Sequence, residues 1–279
     1  LLNKLNLNID LYQLVKDDQW TFDKLVEICK SGNITHDLNG DGSLDEKDQW
    51  AFGTETYNIF VHVLAGGDKI VKKNSEDVPF FTVTNESVFK SLGKILEFYN
   101  DKSTVMVANA PPYTNKGFEN VWEATVHKAF IEGRELFYMC GLINVPSFRN
   151  MEDDFGILPV PKMSADQDRY YHTVSVTNTS VLALPLNVEN VDDLGIVIEA
   201  MGKYSREFIT PAYYDIQLKY RDTRDNESSD MLDIIFASRT FDLGAAYNWG
   251  NTLTNLTMMD MNYTSRFESI MDAAQVALE

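Results

Sequence analysis

The sequence predicts an α/β protein, and three observations predict it. Segments with apolar residues at helical spacing alternate with short, continuous apolar runs that suit buried strands. Glycines stand where several of the helical patterns stop. Apolar residues make up 44% and aromatics 12% of 279 residues, enough to bury the cores of one large or two ordinary domains.

The elements follow in order. In DDQWTFDKLVEICKSG, Thr21 is placed to cap a helix whose buried stripe is Phe22, Leu25, Val26 and Ile28, and Gly32 ends it. An acidic loop, DLNGDGSLDEKD, comes next, and then the apolar stretch YNIFVHVLA. NESVFKSLGKILEFYND sets Val88, Leu92, Ile95, Leu96 and Tyr99 on one helical face. In GFENVWEATVHKAFIEGRELFYMCG, Phe118, Trp122, Val126 and Phe130 recur every four residues, Gly133 stops the helix, and ELFYMC reads as a buried strand. TSVLALPL is strand-like and precedes a further amphipathic helix, NVDDLGIVIEAMGKYS. A domain boundary is expected near FGILPVPKMSADQDRYY, where prolines and a polar turn break the pattern.

Charge narrows the partners. With 24 Lys and Arg against 42 Asp and Glu, the net charge of −18 excludes a basic nucleic-acid footprint and disfavours an anionic membrane surface. The ligands that remain are neutral, cationic or metallic. Cys29 and Cys140 lie in apolar settings and read as buried free thiols. The longest apolar stretch, IFVHVLA, is too short to span a bilayer. No signal peptide is visible, yet the chain opens at LLNKLNLNID without Met, so the true N-terminus is expected upstream.

The acidic loop carries the sharpest chemistry. Counting from Asp37, it places Asp37, Asn39 and Asp41 at positions one, three and five, Gly42 at six, Ser43 at seven, Asp45 at nine and Asp48 at twelve. This is the EF-hand order of oxygen donors, with glycine where the chain must turn sharply. Asp48 replaces the usual Glu, so the last ligand is a methylene shorter, as in the calcium loops of dockerins. Without a cation these carboxylates would repel one another. No second loop of this spacing occurs, so calcium is expected to be structural rather than a signal.

Catalytic motifs are missing: the chain has no G-x-S-x-G, H-E-x-x-H, P-loop or G-x-G-x-x-G. His36, His62, His127 and His172 are scattered, and His127 sits in a helical pattern as a packed or surface residue. No enzyme is expected. Tyr57, Tyr138, Tyr247 and Trp249 lie beside turns or strand ends, where flat rings can stack on sugars while Asn, Asp and Thr bind hydroxyls.

LLNKLNLNIDLYQLVKDDQWTFDKLVEI resembles the N-K-x-L … W-T-x-D-x-L segment of bacterial extracellular solute-binding proteins that deliver carbohydrates to ABC importers. DLNGDGSLDEKDQWAFG is similar to an acidic insertion of Gram-positive members. FIEGRELFYMCG resembles the family's F-x-x-G-x-x-x-F strand, DFGILPVPKMSADQDRYYHTV its F-G-x-x-P-x-P-K segment, and SVLALPL with DDLGIVIEAM its continuation.

The resemblance implies a periplasmic-binding-protein-like (type II) fold of two α/β lobes that close on a ligand. On that template the chain is expected to be N-terminally truncated. Residues 1–155 form the second lobe with the calcium loop, 156–214 return to the first lobe, and 215–279 complete the second. An apolar surface is expected where absent parts of the first lobe would pack. By position, Glu55, Tyr57, Cys140, Gly141, Leu142, Tyr247 and Trp249 line the cleft from one side, and Val176 to Thr179, with Thr177 and Asn178 central, approach from the other. The implied partners are a carbohydrate and a membrane-embedded ABC permease, with no nucleic acid. The implied protein is a monomeric, extracellular lipoprotein. A calcium-stabilised glycan-degrading enzyme and an extracellular interaction module are the alternatives.

Overall fold

The computed structural model describes residues 1–222 and 225–279. Helix α1 (Leu11–Lys16) is capped by Asp10, whose carboxylate accepts from the Gln13 amide. Helix α2 (Phe22–Lys30) starts where the sequence places it, with the Thr21 hydroxyl accepting from the Lys24 amide. Its buried face is Phe22, Leu25, Ile28 and Cys29. Gly32 follows at φ +71°, a left-handed turn that a side chain would strain.

Beyond the acidic loop lie β1 (Trp50–Thr54), α3 (Tyr57–Ala65), the antiparallel pair β2 (Val71–Lys73) and β3 (Pro79–Phe81), α4 (Glu86–Tyr99) and β4 (Val105–Val107). Wide helical turns over Glu123–His127 run into α5 (Lys128–Ile131), and β5 (Glu135–Tyr138) follows. The helix begins after Phe118, so the repeat of four extends one turn too far towards the N-terminus.

The central sheet is parallel, in the order β4-β1-β5, with Phe52 of β1 between Val105 and Phe137. Every residue of β1 is buried, as a middle strand covered on both faces requires. The main core joins Phe22, Phe52, Phe60, Leu92, Ile95 and Phe267. Each fully buried aliphatic side chain of α4 contributes about 1.5–3 kcal/mol. A smaller core holds Trp50, Met106, Ala108, Tyr113, Val126 and Ala129.

The expected boundary segment is stitched to α2. The Trp20 indole donates to the Pro159 carbonyl at 2.8 Å, and the Phe22 amide to the Lys162 carbonyl at 2.7 Å. Lys162 is itself buried, its ammonium 2.6 Å from the Asp18 carboxylate. The chain then forms β6 (His172–Thr173), α6 (Val191–Tyr204), wide turns at Ser205–Ile209 and Ala212–Asp222, and α7 (Asn226–Ala237). Strand β7 (Arg239–Thr240), which lies parallel to β6, precedes α8 (Leu243–Tyr247), α9 (Thr252–Leu256) and α10 (Tyr263–Leu278).

One expected element is corrected here. TSVLALPL is not a strand, because no neighbouring strand takes its backbone hydrogen bonds. It is irregular and exposed, and α6 and Ser205–Ile209 bury no residue at all. Val181 at 86% exposure, Ile196 at 67% and Phe208 at 60% form part of a broad uncovered apolar band. Among the described residues no helix is long and apolar enough to cross a membrane.

Candidate functional site

In a parallel sheet the loops leaving the carboxyl ends of the strands form a rim, and ligands bind in the crevice there. Here the rim comes from Glu55 to Tyr57 after β1, Asn109 after β4, and Cys140 to Leu142 after β5. Two asparagines hold it together. The Asn58 side-chain amide donates to Thr54 Oγ1 at 3.0 Å and to the Met139 carbonyl at 2.9 Å, tying the ends of β1 and β5. Asn109 accepts from the Thr56 amide at 2.8 Å and donates to its hydroxyl at 2.9 Å, tying β1 to β4. Neither asparagine stands out in the sequence. The available signal was a polar residue directly after an apolar strand, in VMVANAPP.

Glu55 is half-buried, and desolvation pushes its carboxyl above the ordinary range. It lies within electrostatic reach of Cys140, whose thiol burial pushes up to about 12, so that the thiol is a neutral wall rather than a nucleophile. Gly141 is exposed and Leu142 half-buried. Both cysteines are free thiols. The Tyr57 hydroxyl is buried, with Ser175 and the Val176 amide beside it but no well-formed hydrogen bond. Thus Tyr57 meets the 175–179 turn, which is closed by a bond from Thr179 Oγ1 to the Ser175 carbonyl at 2.6 Å. Thr177 and Asn178 are exposed on that turn.

Tyr247 and Trp249 stack in parallel, with centroids 4.6 Å apart at 13°. Asn248, between them, adopts a left-handed conformation that reverses the chain, and its side-chain oxygen accepts from the Leu253 amide. Tyr247 is 66% exposed and offers an outer ring face, while Trp249 is half-buried against the main core. Asp242, the cap of α8, accepts from the Ile70 and Ala245 amides and lies within electrostatic reach of Tyr57. The structure therefore brings together Glu55, Tyr57, Cys140 and the 175–179 turn. Asp242, which caps the helix ending at Tyr247, lies within electrostatic reach of Tyr57, and Tyr57 and Trp249 both pack against the main core.

Tyr138, the fourth aromatic singled out by sequence, points into the smaller core instead of the rim. Beneath it lies Glu135, 3% exposed, with no protein atom bonded to either carboxylate oxygen. Its carboxyl occupies the space that a side chain at Gly53 would need. Desolvation raises its pKa well above that of a free carboxyl, with only a modest opposing pull from Arg134.

The acidic loop stands apart from this rim and is wound by its own amides. Asp37 accepts from the Gly40 and Gly42 amides, and Asn39 accepts from the Asp41 amide. Asp41 accepts from the Ser43 amide and hydroxyl, bonds that lower its pKa. The Asp45 side chain accepts from the Lys47 amide. Asp48 is fully buried and accepts from the Leu38 and Asp45 amides. Arg134 donates to the Glu46 and Asp48 carbonyls, and Lys116 pairs with Asp45 and Glu46. Among the described residues no three His, Cys, Asp or Glu side chains converge as a metal would require. Gly40 and Gly42 turn the loop at φ +72° and +86°.

No family model and no curated protein matches the sequence. Solved structures do match the fold. The chain is similar to the maltose/maltodextrin-binding domain MalE from Bdellovibrio bacteriovorus bound to maltotriose, at 15% identity and TM-score 0.56, over 93% of this chain and 65% of that one. M. tuberculosis UspC matches at 14% identity and TM-score 0.61, over 99% and 70%. A cyclo/maltodextrin-binding protein complexed with maltotetraose matches at 10% and 0.54, over 99% and 66%. The chain has the periplasmic-binding-protein-like α/β fold of maltodextrin-binding proteins. It spans 65–70% of the length of the structures it matches.

Proposed function

We propose that the protein captures a carbohydrate outside the cell and passes it, unaltered, to an ABC importer in the membrane. The observation that carries this reading is the stacked Tyr247–Trp249 pair, with Tyr247 exposed, on a fold shared with proteins solved with maltotriose and maltotetraose. An aromatic face packs on the apolar face of a sugar ring, and the hydroxyls then need neutral polar partners. Thr177, Asn178 and the asparagine-braced rim supply such groups. The uncovered apolar band supports the further reading that polypeptide ahead of Leu1 completes the first lobe, so that full affinity belongs to the longer protein. A lipid anchor and a monomeric state are part of the same proposal.

Calcium is proposed for the acidic loop, held by the side chains of Asp37, Asn39, Asp41, Asp45 and Asp48 and the Ser43 carbonyl. Bound there, it would neutralise the carboxylates and fix the loop against Arg134 and the start of β1.

The test is a thermal-shift screen of the full-length protein against mono- and oligosaccharides. A ligand at a hundred times its Kd adds about 2.7 kcal/mol of stability. Stabilisation by a sugar recovered intact supports capture. Hydrolysis of the sugar, or no stabilisation by any of the panel, refutes it.

A further inference from the structure

Glu55 follows β1, the middle strand of the sheet, and so stands at the centre of the rim. Its carboxyl is half-buried, and desolvation acts on it unopposed: among the described residues no hydrogen bond and no basic side chain offsets the burial. None of the rim segments 55–57, 140–142, 175–179 and 247–249 carries Lys or Arg. A second acid stands beneath it. The backbone of Glu135 pairs with Trp50, yet its carboxyl lies against Gly53, further along β1, so the side chain is aimed towards the rim. Glu135 is 3% exposed, and neither of its oxygens has a protein donor. Arg134, beside it in the chain, donates instead to the Glu46 and Asp48 carbonyls and to the Glu132 carboxylate.

The two carboxyls act on the same pair of groups, the Tyr138 hydroxyl and the Cys140 thiol. The Tyr138 hydroxyl is buried, with the Trp122 indole beside it but no well-formed hydrogen bond. Acids withdrawn from water are costly until an opposite charge arrives, and sugar hydroxyls bring none. A metal ion does not fit, because among the described residues no three His, Cys, Asp or Glu converge. An ammonium group fits, since it brings a full charge and three donors on one compact centre.

We propose that the captured carbohydrate is an amino sugar, whose protonated amine pairs with the Glu55 carboxylate above Glu135. This rests on the reading that the protein captures a carbohydrate, and it names the class. The same two acids, with no base among the rim segments, reject sugars that carry a carboxylate.

Isothermal titration of the full-length protein tests it with a glucosamine tetramer, its N-acetylated form and cellotetraose. These share one linkage and differ at C2 alone, as ammonium, amide and hydroxyl. The measurement is made at mildly acidic pH and about 0.15 M salt, which screens long-range attraction to the net charge of −18. The glucosamine tetramer should bind roughly 10-fold more tightly than either neutral one. Glu55→Gln should bring that ratio close to one. Equal affinities, or a preference for a neutral tetramer, overturn the inference and leave carbohydrate capture standing. A preference that survives Glu55→Gln also overturns it, since net charge rather than the rim would then be the cause. If none of the three binds, the inference falls, and the wider thermal-shift panel decides capture separately.

Discussion

Glu135 offers a quantitative test of how this lobe is built. Its carboxyl lies within the smaller core, packed on Gly53, with no protein donor to either oxygen. Burial in that setting disfavours the charged form and raises the pKa of the carboxyl. Its raised pKa means that the folded state holds a proton which the unfolded chain, with a value near 4.5, has released. Stability from this group is therefore fully present below pH 4.5 and is lost as pH rises towards the folded-state value. Glu135→Met keeps the length of the side chain, removes the two unpartnered oxygens and abolishes the titration. An unpaired buried polar group costs about 1–3 kcal/mol by mutational measures. At about 2–4 °C per kcal/mol, the slope for chains of about 150–250 residues, the variant should melt roughly 2–12 °C above the parent. The gap should widen between pH 5 and pH 8. Calorimetry at both values decides the matter. A variant that melts below the parent at both would show that the carboxylate has a strong partner, and the account of an orphaned acid would be wrong.

Three other outcomes are expected. Excess EDTA should lower the melting temperature, and Asp41→Ala should abolish that sensitivity; identical melting curves with and without chelator would remove calcium from the account. Tyr247→Ala should weaken binding of a responsive oligosaccharide by the full-length protein by about 10-fold, as loss of an aromatic contact worth roughly 1.4 kcal/mol implies, read by isothermal titration with the fold checked by circular dichroism. His172 accepts the Val160 amide on Nε2 and pairs with Ser238 through Nδ1, and burial draws its pKa from 6.5 down to about 4. Stability should hold above pH 6.5 and fall between 6.5 and 4 as the unfolded chain gains a proton that the folded state refuses. His172→Gln should flatten that fall in pH-dependent denaturant melts, and an unchanged slope would assign it to other groups.

Much of this protein was decided locally and could be read from the chain. Thr21, with its hydroxyl free to accept the Lys24 amide, and Gly32, with its left-handed turn, bound α2 through interactions that span a few residues. The stripe on α4 is buried as its spacing requires, because a helix with one apolar face has one way to satisfy it. The donors of the acidic loop were equally legible, since their spacing is itself the geometry of the turn.

Tertiary structure decided what spacing cannot encode. Tyr138 and Tyr247 look alike beside their turns, yet one faces the smaller core and the other solvent, because sheet register and the Asn248 reversal orient them. Asn58 and Asn109 became braces only when three strand ends were brought side by side. TSVLALPL has the composition of a strand, but a strand exists only where a neighbour accepts its hydrogen bonds, and none stands beside it. Sequence by itself determined helix ends, turn chemistry and the order of the acidic loop's oxygen donors. Which faces are covered, which polar groups meet and which edge stays open depended on contacts between residues far apart in the chain.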